Sequence, residues 1–219
     1  MNPTSVGSDP ISLIILVTLM GSLPLICVAS TSFLKFSLVL VVVRNAIGVQ
    51  QVPPQIAIYG MALALTGFVM APVGYEMAER YQDRDFIGKS VEEKLDAAQR
   101  VAQPWKAFLL RNTESSAQET FVDIAKRNWP AALQSRITPD HPVILIPAFV
   151  ISELKTAFEI SFLIYVPFII IDIVVSNILL ALGMQMVAPM TFSTPLKLLL
   201  FVAVDGWAHL LRALAGGVS

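Results

Sequence analysis

Apolar residues run almost unbroken through four parts of the chain, and a fifth part mixes them with charge. The first run covers 11–43. Lys35 is its only charge, and Pro24 and Ser30-Thr31-Ser32 break its regularity. About 20 residues at a rise of about 1.5 Å cross a hydrocarbon core of about 30 Å. The 33 residues of this run exceed one straight span. They predict a kinked helix, or a spanning helix followed by a short one. Ser8-Asp9-Pro10 predicts the helix start, with two capping side chains before a first-turn proline. Gly48 and Pro53-Pro54 then stop the helix. The second run, 55–74, carries no charge and is predicted to end at Pro72 and Gly74. The third, 160–182, holds one charge, Asp172. The fourth, 196–211, holds Lys197 and Asp205. An apolar connection bracketed by His141-Pro142 and Pro147 leads toward the third run. Residues 183–195 read as a connection rich in Met, Gly and Pro, with Thr194-Pro195 restarting a helix. Gly216-Gly217 is predicted to end the last one. Four apolar spans follow: 11–30, 55–74, 160–182 and 196–212.

Residues 76–140 differ in kind. They hold ten of the chain's 15 basic residues and eleven of its 16 acidic ones. Val101, Trp105, Phe108 and Leu109, then Phe121, Ile124 and Trp129, recur at helical spacing. Two or three amphipathic helices forming a small water-facing domain are predicted. The chain thus divides into N-terminal apolar helices (1–75), a charged helical domain (76–141) and a C-terminal apolar hairpin (142–219).

The chain is 55% hydrophobic and 14% charged, against about 25% charged for ordinary soluble domains. This favours an integral membrane protein, or a chain buried in a large apolar assembly. A net charge of −1 gives no basic field for nucleic acid. Cys27 is alone, sits in an apolar run and reads as a small buried hydrophobe. Residues 1–10 lack Lys and Arg, so an uncleaved first helix is predicted rather than a secretory leader. The small Lys/Arg bias of the short connections places both termini and the charged domain outside the cytoplasm.

No metal, cofactor or catalytic set emerges. The two histidines, His141 and His209, belong to no HExxH or CxxC pattern, and no nucleophile elbow or phosphate loop is present. Asp205 and His209, at i and i+4, share a predicted helix face without a nucleophile nearby. Six charges in or beside apolar helices carry more information: Glu153, Lys155, Glu159, Asp172, Lys197 and Asp205. Each costs several kcal/mol unless paired or wetted. Lys155 and Glu159 are spaced to pair on one face. Asp172 has no cation within one turn, so its partner must come from another helix, another subunit or water. Structural pairing, pore lining and proton relay all remain open. The relay would make the chain a small-solute or proton-coupled transporter using Asp172. The missing internal repeat argues against that use. Met184, Met186 and Met190 sit between the last two runs. They read either as an apolar loop or, in an assembly around an axis, as a compressible collar.

Five stretches carry a resemblance: RNAIGVQQVPP (44–54), MAPVG (70–74), PAFVISELKTAFEISFLIYVPFIIID (147–172), ALGMQMVAPMT (181–191) and PLKLLLFVAVDGW (195–207). In this order they resemble the FliP/SctR (YscR, HrcR) family of type III secretion export apparatuses, and VVSNILLALGM looks more like its injectisome branch. The resemblance implies an all-α, non-enzymatic subunit of the export gate in the bacterial inner membrane. Copies would form a ring-like helical homo-oligomer with SctS-like and SctT-like subunits. Larger gate and basal-body components would surround it, and unfolded secreted proteins would pass through. Partner subunits as well as membrane lipid would then cover the apolar helices, and the six charges would be buried or intersubunit. The family's gasket of three consecutive methionines falls on Met184-Gln185-Met186, where the middle position departs and adds a polar group to each copy.

Overall fold

The computed structural model describes residues 10–49, 52–82, 91–134 and 137–216. All regular structure among them is helical: α1 (Pro10–Ala29), α2 (Phe33–Ile47), α3 (Gln55–Gln82), α4 (Val91–Val101), α5 (Gln103–Arg111), α6 (Ser115–Asn128), α7 (Ala131–Gln134), α8 (Pro142–Ala181), α9 (Met190–Ala203) and α10 (Gly206–Gly216). The predicted cap at Ser8-Asp9 and the stop at Gly217 lie outside the described residues.

The first apolar run breaks where its hydroxyl residues fall. The segments before and after Ser30-Thr31-Ser32 meet at 67°. A helix break in apolar surroundings leaves carbonyls without partners, and here local side chains supply them. Ser30 donates to the Ile26 carbonyl at 2.6 Å and Thr31 to the Cys27 carbonyl at 2.7 Å. The Trp105 indole N–H reaches the Ser30 carbonyl at 3.1 Å, tying α5 to the bend. Cys27, expected inside, is exposed.

Three predicted boundaries move because proline interrupts a helix less than packing sustains it. A proline forfeits one backbone hydrogen bond and bends the rod without necessarily ending it. α3 passes through Pro72 to Gln82, where Val69, Val73 and Met77 keep one face against α5 and α8. α8 begins at Pro142, so the expected connection is its first turns. His141 is the N-cap, its Nδ1 accepting the Val143 N–H at 3.4 Å. Ile144, Leu145, Ala148 and Phe149 then form a buried stripe. α9 begins at Met190, ahead of Thr194-Pro195. The predicted fourth span is two helices, α9 and α10, bent by 65°. Asp205 sits at φ +49° in that elbow. A Cβ at Gly206 would lie 2.4 Å from the Phe201 ring, so the turn needs glycine there. Two helices, Gln55–Tyr81 and Pro142–Ala181, are individually long and apolar enough to cross a membrane. Counting each bent pair as one span gives up to four.

α2 is the centre. Phe36, Val39, Leu40, Val43, Ala46 and Ile47 are buried along it, and α3, α8, α9 and α10 add Ala62, Ala157, Phe201 and Leu214 to the same cluster. α2 and α8 run in the same direction. Lys35, near the start of α2, meets Glu153, and Gly48 at its end lies against Thr194 of α9. Lys197, one turn beyond Thr194, meets Asp172 further along α8. Gly48 is required twice over: φ is +88°, and an added Cβ would stand 2.9 Å from the Thr194 hydroxyl oxygen.

Two of the charged segment's helices do not stand apart from the apolar ones. α5 places Phe108 and Leu109 against Val73 of α3 and Leu145 and Phe149 of α8. α6 places Val122 and Ala125 against Ile144 of α8, with Phe121 and Trp129 alongside. Lys106 of α5 donates to Asp140, just before α8, at 2.6 Å. That bond, followed by one from Thr138, holds the Asp140 carboxyl down at about 2. A lowered folded value stabilises above the unfolded value of about 4, and the gain is lost as pH falls toward 2. Both groups are partly exposed, so the gain is at most about 1 kcal/mol. Acid unfolding of wild type and Asp140→Asn is expected to differ slightly above pH 4 and to converge near pH 2. Parallel curves across that window would exclude the linkage.

Candidate functional site

α8 carries three charged residues that are paired, and each goes to a different element. Glu153 accepts from Lys35 of α2 at 2.9 Å, with both side chains at most 2% exposed. Lys155 donates to Glu114, the N-cap of α6, at 2.7 Å. Asp172 accepts from Lys197 of α9 at 2.5 Å. A charge buried in an apolar bundle needs an opposite charge at hydrogen-bond distance, so Lys35–Glu153 fixes the level of α2 on α8; the other two pairs are partly exposed and add less. The expected Lys155–Glu159 pair does not form. Lys155 turns to Glu114, whose carboxyl is held below its usual range chiefly by that hydrogen bond. A neighbouring helix thus wins over the partner one turn away. Asp172 finds its cation across the hairpin.

Two of the six predicted charges stay out of this set. Glu159 is exposed on α8 and makes no ion pair among the described residues. Asp205 is exposed in the α9–α10 elbow. The ring Nδ1 of His209 lies 3.2 Å from the Asp205 backbone carbonyl, so the two do not form an acid–base pair through side chains. Among the described residues no three His, Cys, Asp or Glu side chains gather as a metal site. Lys35, Glu114 and Arg44 escaped the sequence-based selection. Lys35 had a signal, as the one cation in its run. Glu114 had none among so many surface charges.

The methionine connection is the tip of the α8–α9 hairpin. Gly183 at φ +74° follows the last residues of α8. Its N–H bonds the Leu180 carbonyl at 3.0 Å, and the Met184 N–H bonds the Leu179 carbonyl at 2.9 Å. This crossed pair is the Schellman closure, which satisfies carbonyls at the helix end and sends the chain away sharply. Gln185 N–H returns to the Gly183 carbonyl at 3.0 Å. Met184 is 39% and Met186 98% exposed, so the tip holds two thioethers clear of the protomer's own core, with Gln185 between them. The Asp172–Lys197 pair ties the two helices together behind the tip.

Two substitutions probe this frame. Glu153→Gln leaves a buried ammonium without its counter-charge and is expected to cost about 3–5 kcal/mol. Lys35→Met with Glu153→Leu should cost much less than the two single changes together; additive costs in detergent unfolding would show that the pair is not coupled. Gly183→Ala meets no steric obstacle, so its expected loss of about 1 kcal/mol is purely conformational. Faster proteolytic nicking at 183–187 would register it; unchanged nicking would refute it.

Comparison with known proteins gives a uniform answer. The FliP family model matches residues 16–214. The chain is 48% identical over 206 residues to Yop proteins translocation protein R of Yersinia pestis, covering 94% of this chain and 95% of that protein. It is 45% identical over 206 residues to harpin secretion protein HrcR of Erwinia amylovora, with the same shares of each chain. It is 44% identical over 215 residues to virulence protein YscR of Salmonella typhimurium, covering 98% of this chain and all of that protein. A helical chain whose apolar hairpins are clamped by ion pairs, matched over nearly its full length, belongs to the FliP family.

Proposed function

We propose that the chain is a core subunit of a type III secretion export gate in the bacterial inner membrane. In this reading several copies assemble with SctS-like and SctT-like subunits and form the entry channel for unfolded secreted proteins. The observation that carries it is the hairpin tip. Met184 and Met186 project from a closed helix end on a hairpin braced by Asp172–Lys197, and little else in the protomer covers them. Repeated around an axis, such tips form a collar. Methionine suits that position, since an unbranched thioether repacks against changing neighbours with little loss of contact. Gln185 sets one amide per copy into the collar and makes the closed state wetter than an all-methionine ring. The exposed apolar faces of α1, α8 and α9 are then covered by lipid or by neighbouring subunits, and the segment 76–141 lies on the periplasmic side.

Native mass of the detergent-purified chain, alone and co-expressed with the two small membrane partners, tests the assembly. A discrete multimer that takes up both supports it; a monomer that ignores them removes the basis for a collar. Within the assembly, Met184→Ala with Met186→Ala is expected to raise small-ion conductance several-fold. Unchanged conductance would show that the tip does not seal the axis.

A further inference from the structure

Three lysines of the apolar helices are matched inside one protomer; of the remaining cations Arg80 and Arg212 are exposed, while Arg44 is half-buried. Lys35, Lys155 and Lys197 are each held by a carboxylate. Arg44, at the end of α2, is not. It donates one long bond, 3.4 Å, to the Pro53 carbonyl, and its Nε–H is buried without an acceptor among the described residues. No carboxylate pairs with it among the described residues. Its guanidinium borders an apolar cavity of about 280 Å³ whose walls include Val52, Ile58, Leu198, Val202 and Trp207. A guanidinium beside an apolar wall calls for an anion carried on an apolar surface.

Of the carboxylates on apolar helices, Glu153 and Asp172 are taken, and Glu76 and Glu79 stand about 30 Å along α3 from Ile58 at the cavity. Asp205 adjoins Trp207 and Val202, on the Arg44 side of the protomer, so it could meet a second Arg44 only through a two-fold contact, which closes as a dimer. Glu159 remains. It lies on α8, which contributes nothing to the Arg44 cavity, and Phe162 and Leu163, 67% and 71% exposed, stand one turn beyond it on the same face. From the Lys35–Glu153 pair, Arg44 lies about 13 Å along α2 and Glu159 about 9 Å along α8, in the same direction.

We infer that Glu159 of one copy pairs with Arg44 of the next, with Phe162 and Leu163 of the first copy covering the apolar cavity beside Arg44. The contact joins two different faces. It therefore repeats head to tail and builds a ring or a helix rather than a closed pair. The inference rests on the multimer proposed above and names the residues that join its copies.

The test uses the full chain with Cys27→Ser, since Cys27 is exposed. Arg44→Cys and Glu159→Cys are placed on separately tagged copies and co-expressed. A bifunctional thiol reagent spanning about 10 Å, applied in membranes because a direct disulfide would need Cα atoms within about 7 Å, is expected to give a dimer carrying both tags, with none when either cysteine is omitted. Arg44→Glu and Glu159→Arg should each reduce the multimer about tenfold, and the two reversals together should restore it to within about twofold of wild type. An intact multimer without the cross-link, or a double reversal no better than the singles, overturns the pairing and leaves the export-gate reading standing. Loss of bound anionic phospholipid from Arg44→Glu with the multimer unchanged also overturns it and assigns Arg44 to a lipid headgroup. A wild-type chain that forms no multimer fails the gate reading itself.

Discussion

An ammonium and a carboxylate survive inside an apolar bundle only when each is the other's neighbour. Lys35 and Glu153 meet that condition with almost no solvent contact, and the arrangement of helices around α2 depends on it. Apolar packing alone is tolerant of sliding, because one aliphatic ridge resembles the next. An ion pair is not tolerant: a shift of one turn would strand both charges. The contact fixes α2 against α8 in one register. Gly48, pressed against Thr194, fixes the far end of α2 against α9. Lys197–Asp172 then closes the triangle through α8.

The charged segment follows the same logic at its edge. Glu114 opens α6 and holds Lys155, while its backbone N–H bonds the Ser152 hydroxyl at 3.0 Å. The Trp105 indole ties α5 to the carbonyl left open at the α1–α2 bend. The short amphipathic helices grip the long apolar ones through buried Phe108, Leu109, Val122 and Ala125, and these polar contacts orient them.

Much of this was legible in the sequence. The helical class, the bend at Ser30-Thr31-Ser32, the stop at Gly48 and the amphipathic helices between 91 and 128 follow from hydropathy, hydroxyl and glycine signals that act locally. The misread boundaries all involve proline. Pro72, Pro147 and Pro195 each looked like an end or a start, but whether a helix continues through proline is decided by the face it packs, as Val69–Val73–Met77 and the buried start of α8 show. Ion-pair choice was the other gap. Spacing on one helix offered Glu159 to Lys155, yet the winner came from residue 114, a long-range fact that no local pattern encodes. The elbow at Asp205 was hidden for a similar reason. Asp205-Gly206 is a turn signal that the surrounding apolar run masked, and the turn arises because Gly206 lets the backbone close onto Phe201.

The forty residues of α8 have a mechanical side. Their contour is about 60 Å, about twice the thickness of a hydrocarbon core. To fit wholly within such a layer the rod would have to lean about 60° from the normal; upright, half of it stands clear. One helix, passing through Pro167, therefore joins the ion-paired level at Glu153 to the turn at Gly183. The buried ion pair and the methionine turn are thus set about 45 Å apart along a single element, farther than a hydrocarbon core is thick.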